Sequence, residues 1–145
     1  MELQSSEPNK PILELRVALT VRDYERSVKF YCEALGLEPA QIWNNDQGKA
    51  LVFELGNATL ELFDETQAEI VDQLEAGQRV SGQIRFALQV PDLKAAVERL
   101  LDHGAVLLHP PVVTPWGDTN ARLQDLDGIQ ITLFQKPDQP KSKKI

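Results

Sequence analysis

Apolar and polar residues alternate from Arg16 onward: Val17, Leu19 and Val21 share one side, and Arg16, Ala18 and Thr20 share the other. A period of two predicts a strand with one buried face. At Asp23 the period changes. Tyr24, Val28, Tyr31 and Leu35 fall on one face of an amphipathic helix. Asp suits the start of that helix, because its side chain accepts from free N–H groups of the first turn. Three more strand-like runs follow, at residues 38–43, 50–55 and 59–63.

The pattern then repeats. Ala87-Leu88-Gln89-Val90-Pro91-Asp92 lies 69 positions after Ala18-Leu19-Thr20-Val21-Arg22-Asp23. Leu93, Val97, Leu100 and Gly104 stand 69 positions after the first helical stripe. Gly36 and Gly104 fall where each helix should stop. Strand-like runs at 105–109, 121–124 and 129–134 complete the second half. Gly56-Asn57 and Asp127-Gly128 join the last two strands of each half, and both pairs suit two-residue hairpins. Leu60-Glu61-Leu62-Phe63 also matches Ile131-Thr132-Leu133-Phe134. Each half therefore reads β-α-β-β-β. The expected organisation is a disordered tail at 1–11, one module at 12–64, a linker with a short helix at 65–80, a second module at 81–136 and a disordered tail at 137–145. Ile70, Val71 and Leu74 suggest the linker helix.

One face of each predicted sheet is continuously apolar and must pack on helices. The other mixes small residues, phenylalanines and a few charged groups. Phe63 and Phe134 are poor choices for open water, so this face reads as the wall of a cleft.

Composition narrows the function classes. The net charge of −7 argues against nucleic acid, whose phosphates need clustered Lys and Arg. The basic group Lys141, Lys143 and Lys144 sits in a Pro-containing tail and reads as a solvated end. No apolar run approaches the roughly 20 residues of a membrane span. The N-terminus lacks the apolar core of a signal peptide, so cytoplasm is the expected location. The single cysteine, Cys32, leaves no internal disulfide and reads as a small apolar helix residue. The sequence holds no Gly-rich phosphate loop, nucleophile elbow, HExxH or CxxC.

The run Val21-Arg22-Asp23-Tyr24-Glu25-Arg26-Ser27-Val28-Lys29-Phe30-Tyr31, the following Leu35-Gly36-Leu37, and Asp125-Leu126-Asp127-Gly128 resemble the vicinal-oxygen-chelate superfamily of glyoxalases, bleomycin-resistance proteins and extradiol dioxygenases. The resemblance covers residues 12–136. It implies an α+β fold in which two βαβββ modules form a curved mixed sheet around a cleft, helices outside, commonly as a homodimer. Enzymes of this family hold one divalent metal (Ni, Zn, Mn or Fe) in the cleft, on His, Gln and Glu ligands from the first and closing strands of each module. Carried onto this chain, those positions are Arg16, Glu61, Arg85 and Thr132. Only Glu61 is a ligand type, since Arg has no lone pair to offer. His103, at a helix end, and His109, in a loop before Pro110-Pro111, lie off the predicted ligand strands. No cofactor is therefore expected.

Arg16, Glu61 and Arg85 should converge, joined by Arg122 if the alternation of its strand holds. Such an Arg–Glu–Arg cluster has two readings: internal glue in place of the metal, or a spare arginine facing a ligand anion. A Glu flanked by Arg should also have a lowered pKa and be a feeble base. Trp116, in Thr114-Pro115-Trp116-Gly117-Asp118, resembles the loop before the seventh strand of metal-free relatives. It either closes over an aromatic or planar ligand or packs at the rim or in a dimer contact. The candidate ligand-binding residues are thus Arg16, Glu61, Phe63, Arg85, Arg122, Thr132, Phe134 and Trp116.

Three functions remain open. The first is metal-free binding or sequestration of a small molecule, anionic or aromatic. The second is a metal-dependent lyase, isomerase or dioxygenase with an atypical site on Glu61. The third is a degenerate structural or regulatory module.

Overall fold

The computed structural model describes residues 11–138. The two predicted tails, including the basic group at Lys141 to Lys144, lie almost entirely outside these residues. The first module comprises β1 (Glu14–Thr20), α1 (Tyr24–Lys29), β2 (Pro39–Asn45), β3 (Gly48–Glu54) and β4 (Ala58–Phe63). α2 (Glu65–Ala76) links it to β5 (Ile84–Gln89), α3 (Leu93–Asp102), β6 (Val106–Val113), β7 (Thr119–Gln124) and β8 (Gln130–Gln135). All eight strands form one mixed, curved sheet in the order β2-β3-β4-β1-β5-β8-β7-β6, which does not close. β1 runs parallel to β4 and β5 parallel to β8, while β1 and β5 pair antiparallel where the modules meet. The two modules thus sit back to back across the sheet centre.

The helices start as their sequences require. Asp23 accepts from Arg26 N, Asp64 from Gln67 N and Asp92 from Ala95 N. α1 and α3 cover the convex face. Leu51, Phe53 and Leu62 are buried there beside Tyr24, Val28 and Tyr31, and Val90, Leu93, Val97, Leu123 and Leu133 form the matching core of the second module. Burying a side chain such as Phe53 is worth about 1.5–3 kcal/mol.

Local departures from the pattern have physical causes. α1 passes into a π-helical turn, Phe30–Ala34. The wider turn advances the inward face by about one residue. Tyr31 and Cys32 both pack inward, and Leu35, expected on the stripe, is left exposed. The Gly56-Asn57 hairpin closes tightly, with Leu55 N donating to Ala58 O. The Asp127-Gly128 turn is not the two-residue hairpin expected. Gly128 N donates to Asp125 O, and Asp125 N to Ile129 O, so three residues form the loop, with Gly128 at φ 85°. That is a type I turn closed by a left-handed glycine. β6 runs past His109 through Pro110 and Pro111, which the sequence placed in a loop. As an edge strand with register shifts on either side of His109, it tolerates both prolines.

The linker helix is longer than expected and better built. Its inward stripe is Ala68, Val71, Asp72 and Glu75. α2 lies against the concave face, touching β3 and β4 of one module and β6 and β7 of the other. Ala68 and Val71 pack on Ala18, Ala50 and Phe63 from the cleft side of the sheet. No helix among the described residues is long and apolar enough to cross a membrane.

Candidate ligand-binding cleft

Strand alternation brings the charged groups of the central strands to the concave face, where α2 walls off a cleft of about 530 Å³. Glu61, Ala18 and Arg85 share one row across β4, β1 and β5. Thr59, Arg16, Ala87, Thr132 and Arg122 share the next. Arg16, Glu61, Phe63, Arg85, Trp116, Thr132 and Phe134 all line the cleft. Trp43 of β2 lines it as well, and Trp43 and Trp116 are both partly exposed at its walls.

Arg122 does not line it. The residue lies on the concave face as alternation requires, but α2 seals it there at 1% exposure. Its five N–H bonds are all used. Nε donates to Thr132 Oγ1 at 3.0 Å. Nη1 donates to Ser81 Oγ at 2.8 Å and Gln130 Oε1 at 2.7 Å. Nη2 donates to Asp72 Oδ1 at 3.2 Å and Glu75 Oε1 at 2.8 Å. Thr132 Oγ1 in turn donates to Glu75 at 2.7 Å, and Asn120 Nδ2 donates to the other Glu75 oxygen, also at 2.7 Å.

The expected Arg–Glu–Arg cluster does not form. Arg85 Nη1 lies 3.0 Å from Asp72 Oδ1, and Nη2 donates to Ala68 O at 3.4 Å. Arg16 Nε donates to Glu14 at 2.9 Å and Nη1 to Asp118 at 3.5 Å, while its guanidinium carbon lies 4.1 Å from the Phe134 ring centroid. Glu61 forms no ion pair among the described residues and accepts only the Thr59 hydroxyl, at 3.0 Å. The cause is α2: its two buried carboxylates draw in Arg85 and Arg122, and Glu14 and Asp118 hold Arg16. No spare arginine is left to make the cleft net positive.

The electrostatics follow from these partners. Burial raises the Glu61 carboxyl above its usual 4.5, outweighing the pull of Arg16 and the Thr59 hydrogen bond. This reverses the lowered value expected for a Glu flanked by Arg. Burial likewise raises Asp118 against the attraction of Arg16 and Lys136. Burial opposes ionisation of Asp72 too, but the Ser81 N–H and hydroxyl, with Arg85 and Arg122, overcome it and bring the carboxyl down to about 2.

The donor set does not fit a divalent metal. Of the four positions the family uses, two carry guanidiniums, and the Thr132 hydroxyl is spent on Glu75. One carboxylate remains. Among the described residues no three His, Cys, Asp or Glu side chains come together as a metal site needs. His103 Nδ1 hydrogen-bonds Arg99 O at the end of α3, and His109 Nδ1 hydrogen-bonds Pro110 O on β6. Neither lines the cleft.

Sequence reasoning missed Asp72, Glu75, Ser81 and Asn120. The available signal was the spacing Ala68, Val71, Asp72, Glu75, which is i, i+3, i+4, i+7 and puts both acids on the packed stripe.

Residues 15–133 match the family described as the Glyoxalase/Bleomycin resistance protein/Dioxygenase superfamily, and the chain belongs to it. It is 29% identical over 125 residues to the uncharacterized protein YraH of Bacillus subtilis (strain 168), a match spanning 83% of this chain and 96% of that one. It is 30% identical over 131 residues to the catechol-2,3-dioxygenase of the same organism, covering 86% of this chain but only 41% of the dioxygenase. Among solved structures, a methylmalonyl-CoA epimerase superposes with a TM-score of 0.67 at 20% identity, covering 90% of this chain and 99% of the epimerase. At that identity the likeness speaks to the fold alone.

Proposed function

We propose that the protein holds a small aromatic or otherwise planar molecule in this cleft without a metal, as a binding or sequestering member of its superfamily. The observation that carries this reading is the wiring of the four family ligand positions. Arg16, Arg85 and Thr132 are committed to carboxylates of the chain itself, and only the half-buried Glu61 faces the cleft with an oxygen to spare. The walls supply the rest. Phe63, Trp43 and Trp116 add aromatic surface to the lining, with Arg16 stacked over Phe134, and the volume lies within the roughly 300–1,000 Å³ of small-molecule sites. The name of the dioxygenase relative includes catechol, a ring of the size these walls suit. An anion has little to attract it here, because each cleft arginine already has a carboxylate partner.

The test is a tryptophan-fluorescence titration with neutral bicyclic aromatics (indole, quinoline and coumarin), run with EDTA and then with Ni, Zn, Mn or Fe(II). Saturable binding of at least one probe, unchanged by chelator or metal, supports the proposal. Binding that requires one metal per chain overturns it in favour of a metal-dependent lyase, isomerase or dioxygenase built on Glu61. No binding under any condition favours a structural or regulatory module.

A further inference from the structure

We infer that the convex side of the sheet, opposite the cleft, is a self-association surface: a second copy of the chain packs on the apolar stripe that β1 and β5 leave uncovered between α1 and α3.

The stripe follows from where the helices lie. α1 packs on β4, and α3 on β6, β7 and β8. β1 and β5, the two strands at the sheet centre, run between them. Alternation sends Arg16, Ala18, Arg85 and Ala87 to the cleft side. Leu15, Val17 and Leu19 therefore face the other way, beside Ile84, Phe86 and Leu88. Leu19 and Leu88 pack into the cores under α1 and α3. The rest of the stripe stays open. Leu15 is 38% exposed and Ile84 68%, and Val17 and Phe86 are only half-buried. Leu13, whose N–H donates to Gln89 O, extends the first row and is exposed as well. Contiguous apolar surface of more than roughly a few hundred Å² is rare on a monomer and marks a place of contact.

Symmetry makes a second copy the occupant. Leu15, Val17 and Leu19 stand 69 positions before Ile84, Phe86 and Leu88. The antiparallel register pairs Val17 with Phe86 at the middle of the two rows. A half turn about that pair exchanges the rows, so both modules offer a twofold partner the same surface. Charge agrees. The chain carries −7, so two copies repel in most approaches. The six side chains of the stripe carry no charge, and depletion of charge from an apolar centre is the make-up of homodimer interfaces.

The same side also carries a ridge. Phe30 and Leu35, in the π-helical turn that follows α1, are each 56% exposed. A stable pair needs about 800 Å² from each copy. The stripe alone, about 20 Å long and two strands wide, falls short of that. The ridge and the facing sides of α1 and α3 make up the difference.

Sedimentation equilibrium of the full chain reads the assembly directly. Twice the chain mass of 16.3 kDa is expected. Ile84→Glu puts a charge at the most open point of the stripe and should weaken association at least tenfold, with the circular-dichroism spectrum unchanged. Should that variant lose its fold, Ile84→Thr, which suits a strand but removes apolar surface, takes its place with a severalfold loss expected. Leu126→Glu and Val113→Glu are the controls. These residues are 76% and 72% exposed, but they lie in the turn before β8 and on the edge strand β6, and both variants should remain dimeric. A wild type that sediments as a monomer overturns the proposal. So does a dimer that survives the Ile84 substitutions, or one that Val113→Glu disrupts in their stead, which would move the contact to the sheet edge.

Discussion

Arg122 Nη2 stands 2.8 Å from Glu75 Oε1, with 1% of one side chain and 3% of the other reaching solvent. The pair ties the linker helix to the closing hairpin of the second module, and Thr132 and Asn120 occupy the remaining carboxylate positions. A sealed pair of this kind adds little net stability compared with an apolar replacement, but removing one partner strands the other. Glu75→Ala should therefore destabilise the fold by about 3–5 kcal/mol, read from urea denaturation. A loss below about 1 kcal/mol is what an exposed pair would give and would contradict the sealing.

Glu61→Gln should stabilise the protein at neutral pH. Burial raises the folded-state carboxyl above 4.5, so the native chain holds this proton more tightly than the unfolded chain does. Between those two values stability falls as pH rises, and above the folded value the penalty is constant. Glutamine carries no such penalty. The variant should melt higher than the wild type at pH 7, and the gap should narrow as the pH drops toward 4.5 and below. A gap independent of pH would mean that ionisation is not its source.

Much of this arrangement is legible in the sequence. The alternation in Arg16-Val17-Ala18-Leu19 and in Leu60-Glu61-Leu62-Phe63 put Arg16, Glu61 and Phe63 on one face, and the repeat extended that face to Arg85, Thr132 and Phe134. A strand's period of two is rigid, so facing is easily read. What those side chains bond to was not legible. Partner choice depends on α2, whose packed stripe is half acidic: Ala68 and Val71 look buried by composition, whereas Asp72 and Glu75 look like surface. Hydropathy cannot distinguish a solvated carboxylate from one paired inside the protein. The same limit applies to Leu35, which a regular helix would bury and a π turn exposes.

Acid should loosen the α2 anchor in a defined window. Asp72 titrates near 2 in the folded protein against 3.8 ordinarily, so its contribution is fully present above 3.8 and is lost as pH falls through about 2. A depression of this size corresponds to roughly 2 kcal/mol. Asp72→Asn should be less stable than the wild type at pH 7, and this part of the acid dependence should be missing from its denaturation profile. If the variant's stability fell with acid as steeply as that of the wild type over this window, the dependence would have to come from other carboxylates.

The first residue of β3 presses on the start of the same helix. Gly48 has φ +112°, and a Cβ there would lie 2.6 Å from Gln67 N and 2.8 Å from Asp64 Oδ1. Those two atoms form the N-cap hydrogen bond of α2. Gly48→Ala therefore meets two penalties, an unfavourable backbone conformation and a collision with backbone that cannot swing aside. Gly36→Ala is the control: its φ is +72°, and nothing lies within 4 Å of the added carbon. The control should cost about 1 kcal/mol, the conformational penalty alone. Gly48→Ala should cost at least about 2 kcal/mol, counting both the conformation and the overpacking. Denaturation midpoints of the two variants separate the contributions. Equal losses would mean that the turn yields without disturbing the cap. A larger loss at Gly48, accompanied by weaker binding of whichever aromatic probe the wild type takes, would show that this contact helps set the wall that Gln67, Ile70 and Val71 present to the cleft.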